Sequence, residues 1–154
     1  MKQKPFVEDI EGLALTRKIV ENRQSTILVV DDNPTNLKLV TDVLGFEGYC
    51  ILTAINAKQA QAVVQHSPPD LILMDIGLPD MDGLALTRIL KTDQETRHII
   101  IVALTAFAMK GDEEKAIAAG CDGYIIKPID TRSLPLQVAE LLLRGIGGNA
   151  PLAE

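Results

Sequence analysis

The sequence predicts an α/β protein with one doubly wound parallel sheet of five strands. Five short apolar runs alternate with five segments whose apolar residues recur at helical spacing. This alternation is typical of βαβ units, in which right-handed crossovers place helices on both faces of a sheet. A chain of 154 residues with 47% hydrophobic content is large enough to bury one core of this kind.

The first 24 residues precede the first predicted strand and form a separate N-terminal extension. Phe6, Ile10, Leu13 and Val20 recur at helical spacing. This pattern predicts an amphipathic helix over about 8–23.

The five predicted strands are short and apolar. The third is bounded by Pro68-Pro69 on one side and by Gly77-Leu78-Pro79 on the other, which favours a strand buried on both faces. The fourth is the most apolar run in the chain and is expected inside the sheet. The strands are predicted at 27–30, 50–54, 71–75, 98–104 and 123–126.

Capping residues and helix breakers set the ends of the helices. Asn33 offers an N-cap and Pro34 follows it at the first helical position. Pro135 belongs in the first turn of the last helix, because a deeper position would cost about 3 kcal/mol, so Ser133 is the better cap. The helices are predicted from 34 to Gly45 or Gly48, and at 57–65, 84–91, 110–119 and 133–144. Residues 25–144 therefore form one domain, followed by a short flexible tail at 145–154.

Composition excludes several classes of function. The formal net charge of -6 argues against nucleic-acid binding through bulk charge, and 3% aromatic residues make a base-stacking surface improbable. The chain has no apolar run long enough to span a bilayer and no signal-peptide core, so a cytoplasmic protein is expected. Cys50 and Cys121 lack metal-ligand spacing and are expected to be reduced, buried thiols.

Polar residues follow four of the predicted strands at their carboxyl ends. They are Asp31 and Asp32, then Asp75, Thr105 and Lys127. Carboxyl ends of parallel strands share one edge of the sheet, so these side chains can meet in one cleft. Three carboxylates repel one another unless a cation is present, and oxygen ligands with room for water suit Mg²⁺. A lysine and a hydroxyl beside them complete a site for a phosphoryl anion.

Each of these residues has an ordinary structural explanation when it is taken alone. A strand-end aspartate can form a turn, Thr105 can fill a β-branched position, and Lys127 can be a solvated charge. Their joint occurrence at four strand ends is the specific signal.

Four motifs give the chain a family resemblance. They are ILVVDDN at 27–33, DLILMD at 70–75 with Pro79 and Gly83, ALTA at 103–106, and GYIIKP at 123–128. Residues 25–144 resemble the receiver domain of two-component response regulators. The stretches 31–36 and 104–112 are most similar to single-domain, DivK-type regulators and to the receivers of hybrid histidine kinases.

The resemblance implies a flavodoxin-like strand order of 2-1-3-4-5 and a role for Asp75 as the phosphoacceptor. Asp75 would accept a phosphoryl group from a phosphohistidine on a histidine kinase or on a histidine phosphotransfer protein. Asp32 and Asp75 would bind Mg²⁺, or Mn²⁺, directly. Asp31 would bind the ion through water, and the backbone carbonyl of Gly77 would supply a further ligand.

The resemblance also assigns the residues around the phosphoryl group. Lys127 would pair with one phosphoryl oxygen, the Thr105 hydroxyl would move inward to another, and the Ala106 amide would point at the same group. The Lys127-Pro128 peptide would be cis. Tyr124 would rotate inward when Thr105 moves, and this switch would reshape the surface of the fourth helix, fifth strand and fifth helix.

Partners are implied in the same way. The helices carrying the phosphohistidine would dock on a face around Asn33, Asn36, Leu37, Val40, Pro128 and Ile129. Ten residues after Arg144 are too few for an output domain, so output is expected through protein binding or onward phosphotransfer by a monomer or weak dimer. Such a protein is not an enzyme, since it catalyses only its own phosphorylation and dephosphorylation. Gly77 and Phe107 predict slow to moderate self-dephosphorylation.

Two other functions are compatible with an α/β sheet of this kind. A phosphatase-like hydrolase would use an aspartyl nucleophile, but it usually carries a second carboxylate two residues later, where this chain has Gly77. A flavin-binding electron carrier would need a phosphate-binding loop after the first strand, where Asp31 and Asp32 would repel a phosphate.

Overall fold

A computed structural model describes residues 25–106 and 111–146; the predicted N-terminal helix, Phe107 and most of the predicted tail lie outside the described residues. Five strands form one sheet in which all neighbours are parallel, in the order β2-β1-β3-β4-β5. The predicted fold class and strand order are confirmed. The strands are β1 (Thr26–Val30), β2 (Cys50–Ala54), β3 (Leu71–Asp75), β4 (Ile100–Thr105) and β5 (Gly123–Ile126).

Five helices cover the two faces of the sheet. They are α1 (Pro34–Phe46), α2 (Ala57–His66), α3 (Gly83–Thr92), α4 (Asp112–Ala119) and α5 (Leu134–Ile146). Alternate residues of the strands pack with α1 and α5 on one face. The intervening residues pack with α2, α3 and α4 on the other face. No helix in the described ranges is long and apolar enough to cross a membrane.

The sheet is buried most completely at β3. Every residue of this strand is buried, as expected for a strand covered on both faces. Register aligns the carboxyl ends of the strands: Val30 is paired with Ala54 and Met74, and Asp75 with Leu104. The residues that follow the strands therefore emerge along one edge of the sheet.

Three predicted boundaries differ from the structure by two residues, and Cys50, which was expected to be buried, is exposed. The fourth strand begins at Ile100, two residues later than predicted, because the Ile99 N–H donates to the Thr96 carbonyl in a preceding turn. The fourth helix begins at Asp112, after Gly111 with φ of 96°. The last helix continues two residues past Arg144.

The predicted cap of α1 is present. The Asn33 side chain accepts hydrogen bonds from the backbone N–H groups of Thr35 and Asn36 at 2.9 and 3.1 Å. Pro34 follows it at the first helical position, where a missing N–H costs nothing. This cap begins the helix immediately after the acidic pair that ends β1.

A candidate acidic site at the carboxyl edge of the sheet

Three carboxylates meet where β1 and β3 end. Asp31, Asp32 and Asp75 each offer an oxygen, and these oxygens lie within 4.8 Å of one another. Asp31 is 1% exposed and Asp75 is 7% exposed, whereas Asp32 is exposed to solvent. β1 and β3 are hydrogen-bonded parallel neighbours, so the residues at their carboxyl ends lie close together.

One lysine neutralises part of this negative charge. The Lys127 Nζ lies 3.1 Å from Asp31 Oδ2 and 3.5 Å from Asp75 Oδ2. The Lys127 backbone N–H donates to the Thr105 carbonyl at 2.7 Å. This bond holds the Lys127 backbone beside the end of β4. The peptide bond between Lys127 and Pro128 is cis. One cation facing three carboxylates leaves the site net negative.

Backbone and amide donors orient the two buried carboxylates. Asp31 Oδ1 accepts from the Asn33 N–H at 2.9 Å, and Asp31 Oδ2 accepts from Asn36 Nδ2 at 3.4 Å. Asp75 Oδ1 accepts from the Gly77 N–H at 3.0 Å. Asn36, predicted as a docking residue, is thus also a partner of the acidic site.

The donors at this edge fit a hard divalent cation. Clustered carboxylate oxygens, an exposed Asp32 open to water and residual negative charge match the preferences of Mg²⁺. Soft ligands are not part of the cluster, which disfavours metals that select thiolates.

The predicted hydroxyl and tyrosine lie on neighbouring strands. Thr105 is 5% exposed at the end of β4, and Ala106 after it is exposed. Tyr124 is paired with Ala103, two residues before Thr105, so the side chains of Thr105 and Tyr124 leave the same face of the sheet. Burial raises the pKa of Tyr124, and the carboxylates of Asp112 and Glu113 add to this shift.

The predicted docking residues divide between surface and core. Asn33 and Pro128 are exposed, while Asn36, Leu37 and Ile129 are half-buried. The prediction for Val40 is wrong: its side chain is 1% exposed and packs in the core between α1 and the sheet. The helical period turns Val40 toward the sheet, so it is unavailable to a partner.

Two residues near the β3–α3 loop make contacts that the sequence did not predict, Asp80 within the loop and Gly83 at the first position of α3. Asp80 accepts hydrogen bonds from the N–H groups of Ala57 and Lys58 at the start of α2. Gly83 packs against the backbone of Asp75 so closely that a Cβ would overlap the Asp75 carbonyl oxygen. No sequence signal indicated the Asp80 contact, because four of the five helices in the described residues lack an acidic residue in the first turn.

A family model for the response regulator receiver domain matches residues 27–139. The chain belongs to the response regulator receiver domain family. The polar-differentiation response regulator DivK of Brucella anthropi is 47% identical to this receiver over 104 residues, which are 68% of this chain and 85% of that protein. DivK of Brucella ovis is 46% identical with the same coverage.

Solved receiver structures share the fold. A CheY-like response regulator receiver domain protein from Methanospirillum hungatei superposes with a TM-score of 0.76 at 30% identity, covering 81% of this chain and 98% of that chain. The signal receiver domain of a signal transduction histidine kinase from Syntrophus aciditrophicus gives a TM-score of 0.72 at 30% identity, covering 84% and 98%. The family and the predicted resemblance are therefore confirmed.

When no divalent cation is bound, the surroundings of Asp75 in this receiver disfavour its charged carboxylate form. Burial raises the pKa of the Asp75 carboxyl, and the nearby Asp31 adds to the shift, while the Gly77 N–H and Lys127 oppose it. Protonation of Asp75 therefore favours the folded state. The stability from this group is complete below the ordinary carboxyl pKa and is lost as pH rises through the raised pKa.

We expect Asp75→Asn to stabilise the receiver at pH 7 in the presence of a chelator, raising Tm by about 3–6 °C for each 1 kcal/mol gained. The advantage over wild type should shrink as pH falls to 4, because the wild-type carboxyl then becomes protonated. Thermal unfolding followed by circular dichroism at several pH values measures this difference. A difference in Tm that stays constant from pH 4 to pH 7 would contradict a raised pKa for Asp75.

Proposed function

We propose that this receiver accepts a phosphoryl group from phosphohistidine onto Asp75 in a Mg²⁺-dependent reaction, and signals through protein binding or onward phosphotransfer. The observation that carries the proposal is the cluster of Asp75 with Asp31, Asp32 and Lys127 at one sheet edge. An aspartate placed among two further carboxylates and a lysine has the charges that phosphoryl transfer needs, because such transfer depends on positioning and on charge neutralisation.

The covalent step requires little of the protein beyond this placement. A carboxylate oxygen of Asp75 forms a bond to phosphorus as the bond from phosphorus to the imidazole nitrogen breaks. The electron pair of the broken bond stays on the imidazole, and the product is an aspartyl phosphate. Because the Gly77 N–H holds Asp75 Oδ1 at 3.0 Å, the carboxylate is oriented before a donor arrives.

Mg²⁺, or Mn²⁺, when bound, neutralises the carboxylates and the incoming phosphoryl oxygens. Asp32 and Asp75 would hold the ion directly, Asp31 through water, and the Gly77 carbonyl as a backbone ligand. The cluster of three carboxylate oxygens within 4.8 Å supports this assignment.

The remaining site residues would bind the phosphoryl group and report it. Lys127 would exchange part of its contact with Asp31 and Asp75 for a phosphoryl oxygen, and Thr105 and the Ala106 amide would bind others. Movement of Thr105 would draw Tyr124 inward and alter the face of α4, β5 and α5. Ile117 and Ile126 are 61% and 46% exposed, which supports protein binding in this region.

The phosphoryl donor would be a histidine kinase or a histidine phosphotransfer protein. Its helices would dock beside Asp75 against Asn33, Asn36, Leu37, Pro128 and Ile129. The exposure of Asn33 and Pro128 at the rim of the acidic site supports this surface. The similarity to proteins described as polar-differentiation response regulators agrees with a signalling role.

Incubation with acetyl phosphate tests the proposal without knowledge of the kinase. We expect Mg²⁺-dependent addition of one phosphoryl group to wild type, measured by intact mass, and no addition to Asp75→Asn, which lacks the nucleophilic oxygen. Labelling of Asp75→Asn to the same extent would overturn the assignment. Continuous release of phosphate without a stable adduct would instead support the phosphatase-like hydrolase.

A further inference from the structure

The β3–α3 loop, which follows Asp75, is hydrogen-bonded to the start of α2 through the carboxylate of Asp80. Asp80 Oδ1 accepts from the Ala57 N–H at 2.8 Å, and Asp80 Oδ2 accepts from the Lys58 N–H at 3.0 Å. We infer that Asp80 is a positioning residue for the acidic site: it holds the β3–α3 loop so that the Gly77 carbonyl faces the bound cation. This inference rests on the proposed role of Gly77 as a backbone ligand.

The N-terminus of α2 is built to receive this carboxylate. Its own cap, Asn56, accepts only from the Gln59 N–H, at 2.8 Å. The first two N–H groups of the helix, which have no partner within it, are the ones bound by Asp80. A carboxylate is favoured there by the helix dipole. These hydrogen bonds, that from Ala57 first, also hold the pKa of Asp80 below its ordinary value.

The two ends of the loop are held close to the sheet by other contacts. At one end the Gly77 N–H donates to Asp75 Oδ1 at 3.0 Å, and the Gly83 N–H joins the two ends by donating to the Ile76 carbonyl at 2.9 Å. At the other end Asp82 caps α3 by accepting from the Leu84 N–H at 2.9 Å. Asp80 adds a further attachment between these ends, because its carboxylate binds the start of α2.

The helix bound by Asp80, α2, is also linked to the acidic site through the strand that precedes it. The Asp31 N–H donates to the Ala54 carbonyl at 3.0 Å, at the end of the strand that leads into α2. The acidic site is therefore linked to the start of α2 from two sides, through Asp31 and through the loop after Asp75. Coupling between two sites is reciprocal. If a bound cation strengthens the contacts between the loop and α2, then those contacts must in turn raise the affinity for the cation.

Calorimetric Mg²⁺ titrations of four proteins test the inference: wild type, Asp80→Ala, Asp80→Asn and Asn56→Ala. Asp80→Ala and Asp80→Asn remove the same charge, but asparagine retains an acceptor for the α2 amides. Asn56→Ala weakens the same helix without touching the loop. Unfolding midpoints of all four report the purely structural effect of each change.

We expect Asp80→Ala to weaken Mg²⁺ binding roughly 10-fold, as is usual when a residue that orients a metal ligand is lost. Asp80→Asn should lose less than about 3-fold, because its amide oxygen can still accept from one of the first two N–H groups of α2, which have no acceptor within the helix. Asn56→Ala should bind Mg²⁺ like wild type despite a lowered Tm. In wild type, Mg²⁺ should also slow hydrogen exchange at the Ala57 and Lys58 amides.

Equal weakening in Asp80→Asn and Asp80→Ala would show that only charge matters and would overturn the inference. Wild-type affinity in Asp80→Ala, or amide exchange in wild type that is unchanged by Mg²⁺, would overturn it as well. In each of these three outcomes wild type still binds Mg²⁺, so the proposed function stands. Failure of wild type itself to bind Mg²⁺ would overturn both.

Discussion

Lys127→Met is expected to destabilise the receiver by about 2–4 kcal/mol at pH 7 without divalent cations, because it removes the cationic partner of two buried carboxylates. Lys127 Nζ lies 3.1 Å from Asp31 Oδ2, and the Asp31 side chain is 1% exposed. Methionine retains the apolar stem, so the loss reports the charge. Urea denaturation measures it. If Lys127 binds a phosphoryl oxygen as proposed, transfer from acetyl phosphate should slow by about 100-fold or more, because that donor is lost.

Lys38→Met provides the matched control. Lys38 pairs with Asp42 at 3.0 Å, but both side chains are largely exposed, at 78% and 62%. An exposed pair of this kind contributes less than about 0.5 kcal/mol. If Lys127→Met destabilised the protein no more than Lys38→Met, the ion pairs at the acidic site would have no stabilising role in the cation-free state.

Gly83→Ala is expected to destabilise the receiver by roughly 2–4 kcal/mol, at the upper end of the cost of overpacking, because the new methyl group meets backbone that cannot rotate away. A Cβ at Gly83 would overlap the Asp75 carbonyl oxygen and would lie 2.9 Å from the Ile76 Cα. The displaced backbone belongs to Asp75, the proposed phosphoacceptor and cation ligand, so Mg²⁺ affinity should fall with stability. Urea denaturation and calorimetry measure the two losses.

Gly45→Ala is the control for this substitution. Gly45 lies within α1, and a Cβ there would meet no atom within 4 Å. Alanine should stabilise the protein by about 0.5–1 kcal/mol, since glycine is the weaker helix former. A stable Gly83→Ala protein with wild-type Mg²⁺ affinity would show that the start of α3 can move away from Asp75 at little cost.

The sequence alone determined the fold class and the position of the acidic site. Apolar runs of strand length alternate with helical periods, and this local pattern predicts a parallel sheet without knowledge of any contact. Topology then requires that the residues after β1 and β3 meet, because parallel strands end at one edge. For this reason the convergence of Asp31, Asp75 and Lys127 could be predicted from their positions after the strands.

Boundaries and facing directions were less predictable. The start of β4 depends on whether residues 98 and 99 bond to the sheet or close a turn, and their apolar character permits both. Val40 belongs to the same helical stripe as Leu37, and only packing against the sheet shows that Val40 is fully buried while Leu37 is half-buried.

Long-range hydrogen bonds were decided by the tertiary structure alone. Asp80 lies 22 and 23 residues from the amides that it binds, and nothing in its neighbouring residues indicates which helix it caps. The close approach of Gly83 to Asp75 likewise depends on how α3 is seated over the end of β3. Periodicity and strand ends are properties of the local chain and place Asp75 at the acidic site, whereas the contacts that hold the loop after Asp75 depend on how separate elements pack together.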